Sequence, residues 1–235
     1  MKISALPETA PSDEAANDET DQQQCYFGNS AGRPRAADKE ARLHALLHTA
    51  AELFITKGYG KVSLEMIARA AHVAVRTIYV KFGGKAGLLK AVIIHGRAKL
   101  FGDMPDMATD QRPIEAVLGE FCQRFLHLVT IPFFFSMYRM VIAEAQTTPE
   151  LAEAFYDAGP RLTRELLAQY FARPDVRAQL REDLPHDELP TFLLNTVMGD
   201  QLKPLLFAFE QRFSEEEIAA RVERGLKLFL AAVMR

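Results

Sequence analysis

Residues 62–85 read Val62-Ser-Leu-Glu-Met-Ile-Ala-Arg-Ala-Ala-His-Val-Ala-Val-Arg-Thr-Ile-Tyr-Val-Lys-Phe-Gly-Gly-Lys85. Ser63 is a good helix N-cap, and Glu65 falls in the first turn, where the helix dipole favours a carboxylate. Leu64, Ile67, Ala68 and Ala71 then share one helical face. His72-Val73-Ala74 leaves room only for a tight turn. Val75 to Phe82 makes a second short helix with Ile78 and Phe82 four apart on its inner side. Gly83-Gly84 ends it, because two glycines break a helix. A short helix, a tight turn and a second short helix form a helix-turn-helix unit.

The flanks extend this unit on both sides. Leu43, Leu46, Leu47, Ala50, Ala51 and Phe54 form one stripe of a helix over about 38–57, and Gly58 stops it. A fourth helix runs from Lys85 to about Leu100, with Leu88, Leu89, Val92 and Ile93 inward. The formal net charge of −3 hides a segregated distribution. Residues 1–32 carry one Lys against six acids (−5), residues 33–100 carry thirteen Lys and Arg against four acids (+9), and residues 101–235 carry fourteen against twenty-one (−7). A basic block between acidic segments is the electrostatic footprint of a polyanion binder. The second helix of such a unit can enter the major groove of DNA. Its outward residues here are Val75, Arg76, Thr77, Tyr79, Val80 and Lys81, and the bland alternative is a three-helix packing unit.

The rest of the chain also reads as helix, giving an all-α chain of about nine helices. Segments start near Pro113, Pro132, Pro149, Asp187 and Ser214. A bend is expected at Gly159-Pro160 and a break near Lys203-Pro204. Ser214-Glu215-Glu216-Glu217 is a capping box. Residues 1–32 read as a disordered acidic tail, 33–95 as the helix-turn-helix domain, and 96–235 as a second helical domain. No apolar run reaches the roughly 18 residues needed to span a bilayer, and no secretory signal is seen, so a cytoplasmic protein is expected. Cys25 and Cys122 read as unrelated thiols. No cofactor or metal is expected, since no clustered His and Cys are present. Phosphate-loop, dinucleotide, zinc-protease and nucleophile-elbow patterns are missing, which argues against an enzyme.

Residues 38–95 resemble the DNA-binding domain of the TetR family of bacterial transcriptional regulators. Family members show a Thr-x-x-x-Ile-Ala start, an Ala-Gly-Val turn, then Thr-Leu-Tyr-x-x-Phe and Ser-Lys. The matching residues are Ser63, Ile67-Ala68, Ala71-His72-Val73, Thr77-Ile78-Tyr79, Phe82 and Gly84-Lys85. The resemblance implies phosphate contacts from Thr77, Tyr79 and Lys85. It implies base reading by Val75, Arg76, Val80 and Lys81, and a Ser63 that caps its helix beside the DNA backbone. Arg33 and Arg35 resemble the family's basic arm, which can reach the minor groove. His72 stands where the family has Gly, at a position that often wants φ > 0. Ala74 stands where it has a Ser cap.

The run from Phe133 to Ala145, with Pro149-Glu150-Leu151 and Phe155-Tyr156, resembles the C-terminal domain of AefR-like and AcrR-like members. This implies an apolar pocket in the second domain, for which Phe121, Phe125, Met137, Tyr138, Phe155, Tyr156 and Met198 are the candidates, each open to the alternative of ordinary core. Arg139 either holds an acidic ligand or pairs with a glutamate. A homodimer through the last two long helices is implied, with Phe192, Asn195, Thr196, Gly199, Val222, Leu226 and Phe229 as candidates. The implied function is a repressor that binds a pseudo-palindromic double-stranded operator as a dimer and is released by a small, largely apolar effector. The alternatives are an activator, or a DNA-binding protein with no effector.

Overall fold

The computed structural model describes residues 36–201, 206–207 and 213–235. The acidic tail, Arg33 and Arg35, and the Lys203-Pro204 break lie outside the described residues. The helices are α1 (Ala36–Lys57), α2 (Leu64–Ala70), α3 (Val75–Phe82), α4 (Lys85–Phe101), α5 (Ile114–Thr130), α6 (Pro132–Glu144), α7 (Pro149–Tyr156), α8 (Leu162–Ala172), α9 (Pro174–Arg177), α10 (Leu189–Met198) and α11 (Glu215–Val233). No strand is present among the described residues; one isolated antiparallel bridge joins Leu180 to Met234.

Local chemistry sets most boundaries. Gly58 closes α1 at φ +83, and Gly83 closes α3 at φ +74. Gly84, at φ +136, occupies a region open in practice only to glycine. Ile131 takes an extended conformation before Pro132, as a residue before proline must, and α5 and α6 meet at a 65° bend there. The expected bend at Gly159-Pro160 is a single π-helical turn, Asp157–Arg161, between α7 and α8. Proline has no N–H to donate, so it is tolerated where the helical ladder is already interrupted. Ser214 and Glu217 form the expected capping box of α11, through bonds of 3.2 and 2.8 Å. Two elements depart from expectation. No segment start is expected between Pro149 and Asp187, yet Pro174 opens the short α9 there at the first helical position. The helix beginning near residue 187 ends at Met198, where Gly199 turns to φ +57.

Two apolar clusters form the interior. One joins α1 to α4 and also takes in Met137, Met140 and Val141 of α6 and Leu151, Ala154 and Phe155 of α7. The other joins α5, α8, α10 and α11. Phe134 packs against both. Two close approaches fix the arrangement. A Cβ on Gly87 would lie 1.8 Å from the Phe82 carbonyl oxygen, so the end of α3 rests directly on the first turn of α4. A Cβ on Gly225 would lie 2.7 Å from Val197 Cα, so α10 and α11 cross backbone to backbone.

No single described helix is long and apolar enough to cross a membrane.

The crossing at Gly225 is directly testable. Gly225→Ala should destabilise the protein by about 1–3 kcal/mol in urea denaturation, because overpacking against a backbone atom cannot be relieved by a rotamer change. An unchanged midpoint would mean that the two helices part at no cost.

Candidate nucleic-acid interface and cavity

The helix-turn-helix is built as its chemistry demands. The Met66 N–H donates to Ser63 Oγ at 3.2 Å, which caps α2. A hydrogen bond with Ser63 also holds the Glu65 carboxyl below its usual pKa. His72 is the one non-glycine residue with positive φ among those described, at +54. It meets the demand that the turn makes, at a steric cost that glycine would avoid. Ala74 caps α3 with no side-chain bond. Ile78 is fully buried and pins α3 to the core.

Arg76, Thr77, Tyr79, Val80 and Lys81 form the exposed face of α3, with Val80 79 % and Tyr79 53 % accessible. No ion pair engages Arg76 or Lys81 among the described residues, so both cations are available to an anionic partner. Val75 departs from its expected outward position. It is half-buried against the core, because it lies one turn before Ile78 on the inner side.

Lys85 also departs from expectation. Its ammonium does not point outward but donates to the carbonyls of Tyr59 and Val62 at 2.9 and 3.0 Å, and lies 4.2 Å over the Tyr59 ring. Burial holds its pKa below the usual lysine value, against the opposing pull of Glu144. The same loop, residues 58–62, is held from the other side by Glu144, the last residue of α6. Its two carboxylate oxygens accept the N–H groups of Tyr59 and Gly60 at 2.9 and 2.6 Å. A Cβ on Gly58 would sit 2.9 Å from that carboxylate, and one on Gly60 3.1 Å from it. The two glycines of this loop therefore make room for an acid contributed by a helix distant in sequence. Tyr59 is fully buried, and its hydroxyl is pushed up to about 12 by burial and by Glu150 and Glu144.

A cavity of about 710 Å³ lies between α4, α5, α6, α7, α8 and α10. Phe125, Met137, Tyr138, Phe155, Tyr156 and Met198 line it. Phe121 does not. It is fully buried in the second cluster, stacked between Phe101 and Phe125 with ring centroids at 5.5 and 6.3 Å. Arg139 does not line the cavity either, and no ion pair engages it among the described residues.

Among the polar groups that reach the wall are Arg97 of α4 and Thr163. Arg97 Nη1 donates to Thr163 Oγ1 at 2.5 Å, and Thr163 donates to the Gly159 carbonyl at 2.9 Å. Two helical turns earlier on α4, Lys90 pairs with Asp157 at 2.8 Å. Asp157 opens the π turn and Thr163 follows it, so α4 is tied to both sides of that turn. Nothing in the local sequence around Arg97 signals this role; a bend at Gly159-Pro160 is the only hint.

The dimer candidates divide. Phe192, Asn195 and Gly199 are exposed and Thr196 is half-exposed on α10, although Asn195 also lines the cavity. Val222, Leu226 and Phe229 are not available to a partner. They are 6 %, 8 % and 0 % accessible within the chain itself, because α11 turns this face to α5 and α10. Its outward face carries Glu223, Arg224, Lys227, Leu228 and Ala231.

Comparison with known proteins adds the following. Residues 46–92 match the family model described as bacterial regulatory proteins, tetR family, and residues 116–233 match that of the AefR-like transcriptional repressor C-terminal domain. A search of curated proteins returned no match. Among solved structures, a TetR-family transcriptional regulator of Mesorhizobium loti is 21 % identical with a TM-score of 0.67, over 83 % of this chain and 98 % of that one. The flavonoid-responsive regulator FrrA is 26 % identical with a TM-score of 0.63, over the same shares of the two chains. NalD of Pseudomonas aeruginosa, the secondary repressor of the MexAB-OprM multidrug efflux pump, is 24 % identical with a TM-score of 0.56, over 83–84 % of this chain and 98 % of that one.

The loop clamp predicts a specific loss. Glu144→Ala should cost about 1–3 kcal/mol, since two backbone donors lose a charged acceptor. Hydrogen exchange at the Tyr59 and Gly60 amides should accelerate with it. Unchanged stability together with unchanged exchange would show that the carboxylate holds nothing.

Proposed function

The chain belongs to the TetR family of bacterial regulatory proteins, with a helix-turn-helix DNA-binding domain, and on that footing we propose that it is a repressor released from its operator by a small, largely apolar effector. The observation that carries this reading is the position of the cavity. Its walls include α4 and α6, the two helices that also hold the reading head, through the Lys85 and Glu144 contacts on loop 58–62. A ligand that favours a wider cavity therefore favours a displaced reading head, and operator affinity falls by the ratio of ligand affinities in the two states. That FrrA is flavonoid-responsive and NalD a repressor supports the same direction.

The working unit is a homodimer, whose two α3 helices enter successive major grooves of a pseudo-palindrome about 34–36 Å apart. The exposed α10 face, with Phe192, and the outward face of α11, with Leu228, supply the contact. The division of labour follows the proposed domains, 33–95 for DNA and 96–235 for ligand and dimer. Arg76, Val80 and Lys81 read base edges, while Thr77 and Tyr79 contact phosphate. Arg33 and Arg35 reach the minor groove. The site of action is the cytoplasm.

Fluorescence anisotropy on DNA from immediately upstream of the gene, at two salt concentrations and against excess random DNA, tests this reading. Tyr79→Ala should weaken binding to all sequences alike. Arg76→Ala should relax preference at one base pair per half-site by about 1–3 kcal/mol. Operator affinity that is the same in both variants as in the parent chain would overturn the assignment.

A further inference from the structure

Among the described residues, six of the twelve arginines in the second domain have a carboxylate partner. Five of these, Arg112, Arg124, Arg173, Arg181 and Arg235, lie away from the cavity in ion pairs at 2.5–2.7 Å. The cavity wall carries a local excess of cations. It carries three arginines against one carboxylate, Glu153, which is exposed. Arg161 is paired with Asp157 at 2.6 Å, and Arg164 is laid over the Tyr156 ring with a hydrogen bond to its hydroxyl.

Among the described residues, Arg97 has no acid partner. Its guanidinium has five N–H donors, and one of them is spent, on the neutral Thr163 hydroxyl. Its other contact is the Phe101 ring at 5.4 Å. Burial alone shifts its pKa, downward, with no carboxylate opposing the shift. A half-buried cation without a counter-charge is unfavourable in the free protein. Around it the wall is apolar, built from Val92, Ile93, Phe125, Phe134 and Leu194.

We infer that the cavity takes an apolar molecule bearing one acidic group, a carboxylate or its equivalent, whose anion docks on Arg97. The planar fork of a guanidinium matches a carboxylate with two parallel N–H···O bonds, and these are strong where water is excluded. This inference rests on the reading of the cavity as the effector site and supplies the chemical class that reading lacks. It also gives the ligand a handle on α4. An anion that draws the guanidinium off Thr163 loosens one of the two ties between α4 and the π turn, while the Lys90–Asp157 tie stays in place.

Isothermal calorimetry on the full chain with 2-naphthoate and its neutral isostere 2-naphthamide tests this. The acid should bind about tenfold or more tightly than the amide, the ratio expected for charged hydrogen bonds. Arg97→Gln should erase that ratio while leaving amide binding in place, and Arg97→Lys should keep part of it. Gly96→Leu is the control for location. Gly96 lines the cavity, and a Cβ there meets nothing within 4 Å, so the leucine fills the space and should abolish binding of both compounds. Equal binding of acid and amide by the parent chain, or a preference that survives Arg97→Gln, overturns the acidic class. Sensitivity to Gly96→Leu would then leave the cavity as the site. Binding of neither compound, or binding indifferent to Gly96→Leu, overturns both readings.

Discussion

The bonds around loop 58–62 are the constraint on which the rest depends. A carboxylate from α6 accepts two of its backbone N–H groups, and an ammonium from α4 takes two of its carbonyls. The loop is the joint between α1 and α2, and α2 carries α3. Thus the orientation of the recognition helix is set by two charged groups, one on each helix that also borders the cavity. The groups are of opposite sign, so the loop lies between them as a polar bridge rather than beside a direct ion pair. Movement of either helix must be transmitted or the bonds must break.

Packing reinforces the same coupling. The apolar interior of the DNA-binding domain does not end at α4. It continues into Met137, Met140 and Val141 of α6 and Leu151, Ala154 and Phe155 of α7. Phe134 then joins this cluster to the second. The reading head is thus packed on the cavity wall, and α4 runs through both clusters' neighbourhoods while being tied by Lys90 and Arg97 across the π turn.

Much of this was legible in the sequence, for a physical reason. Caps, glycines and prolines act within a few residues, so α3 falls on Val75–Phe82 and the Ser214 capping box opens α11 as read. Helical periodicity tells which residues share a face, but not what covers that face. That is why Val222, Leu226 and Phe229 prove to be core rather than contact surface, and why Phe121 lies behind the wall rather than on it. The polar contacts were the least legible. Lys85 occupies a position the family pattern assigns to phosphate, yet its ammonium is taken up by carbonyls 23 and 26 residues away. Glu144 and Arg97 have roles made entirely by long-range partners, so no local pattern marks them.

A Cβ at position 87 would overlap the Phe82 carbonyl oxygen, so only glycine lets α3 keep this seat on α4. The exposed side chains of α3, Arg76, Thr77, Tyr79, Val80 and Lys81, can therefore be exchanged singly while this backbone seat stays fixed. Variation on that face changes what the helix presents without changing how it lies on α4.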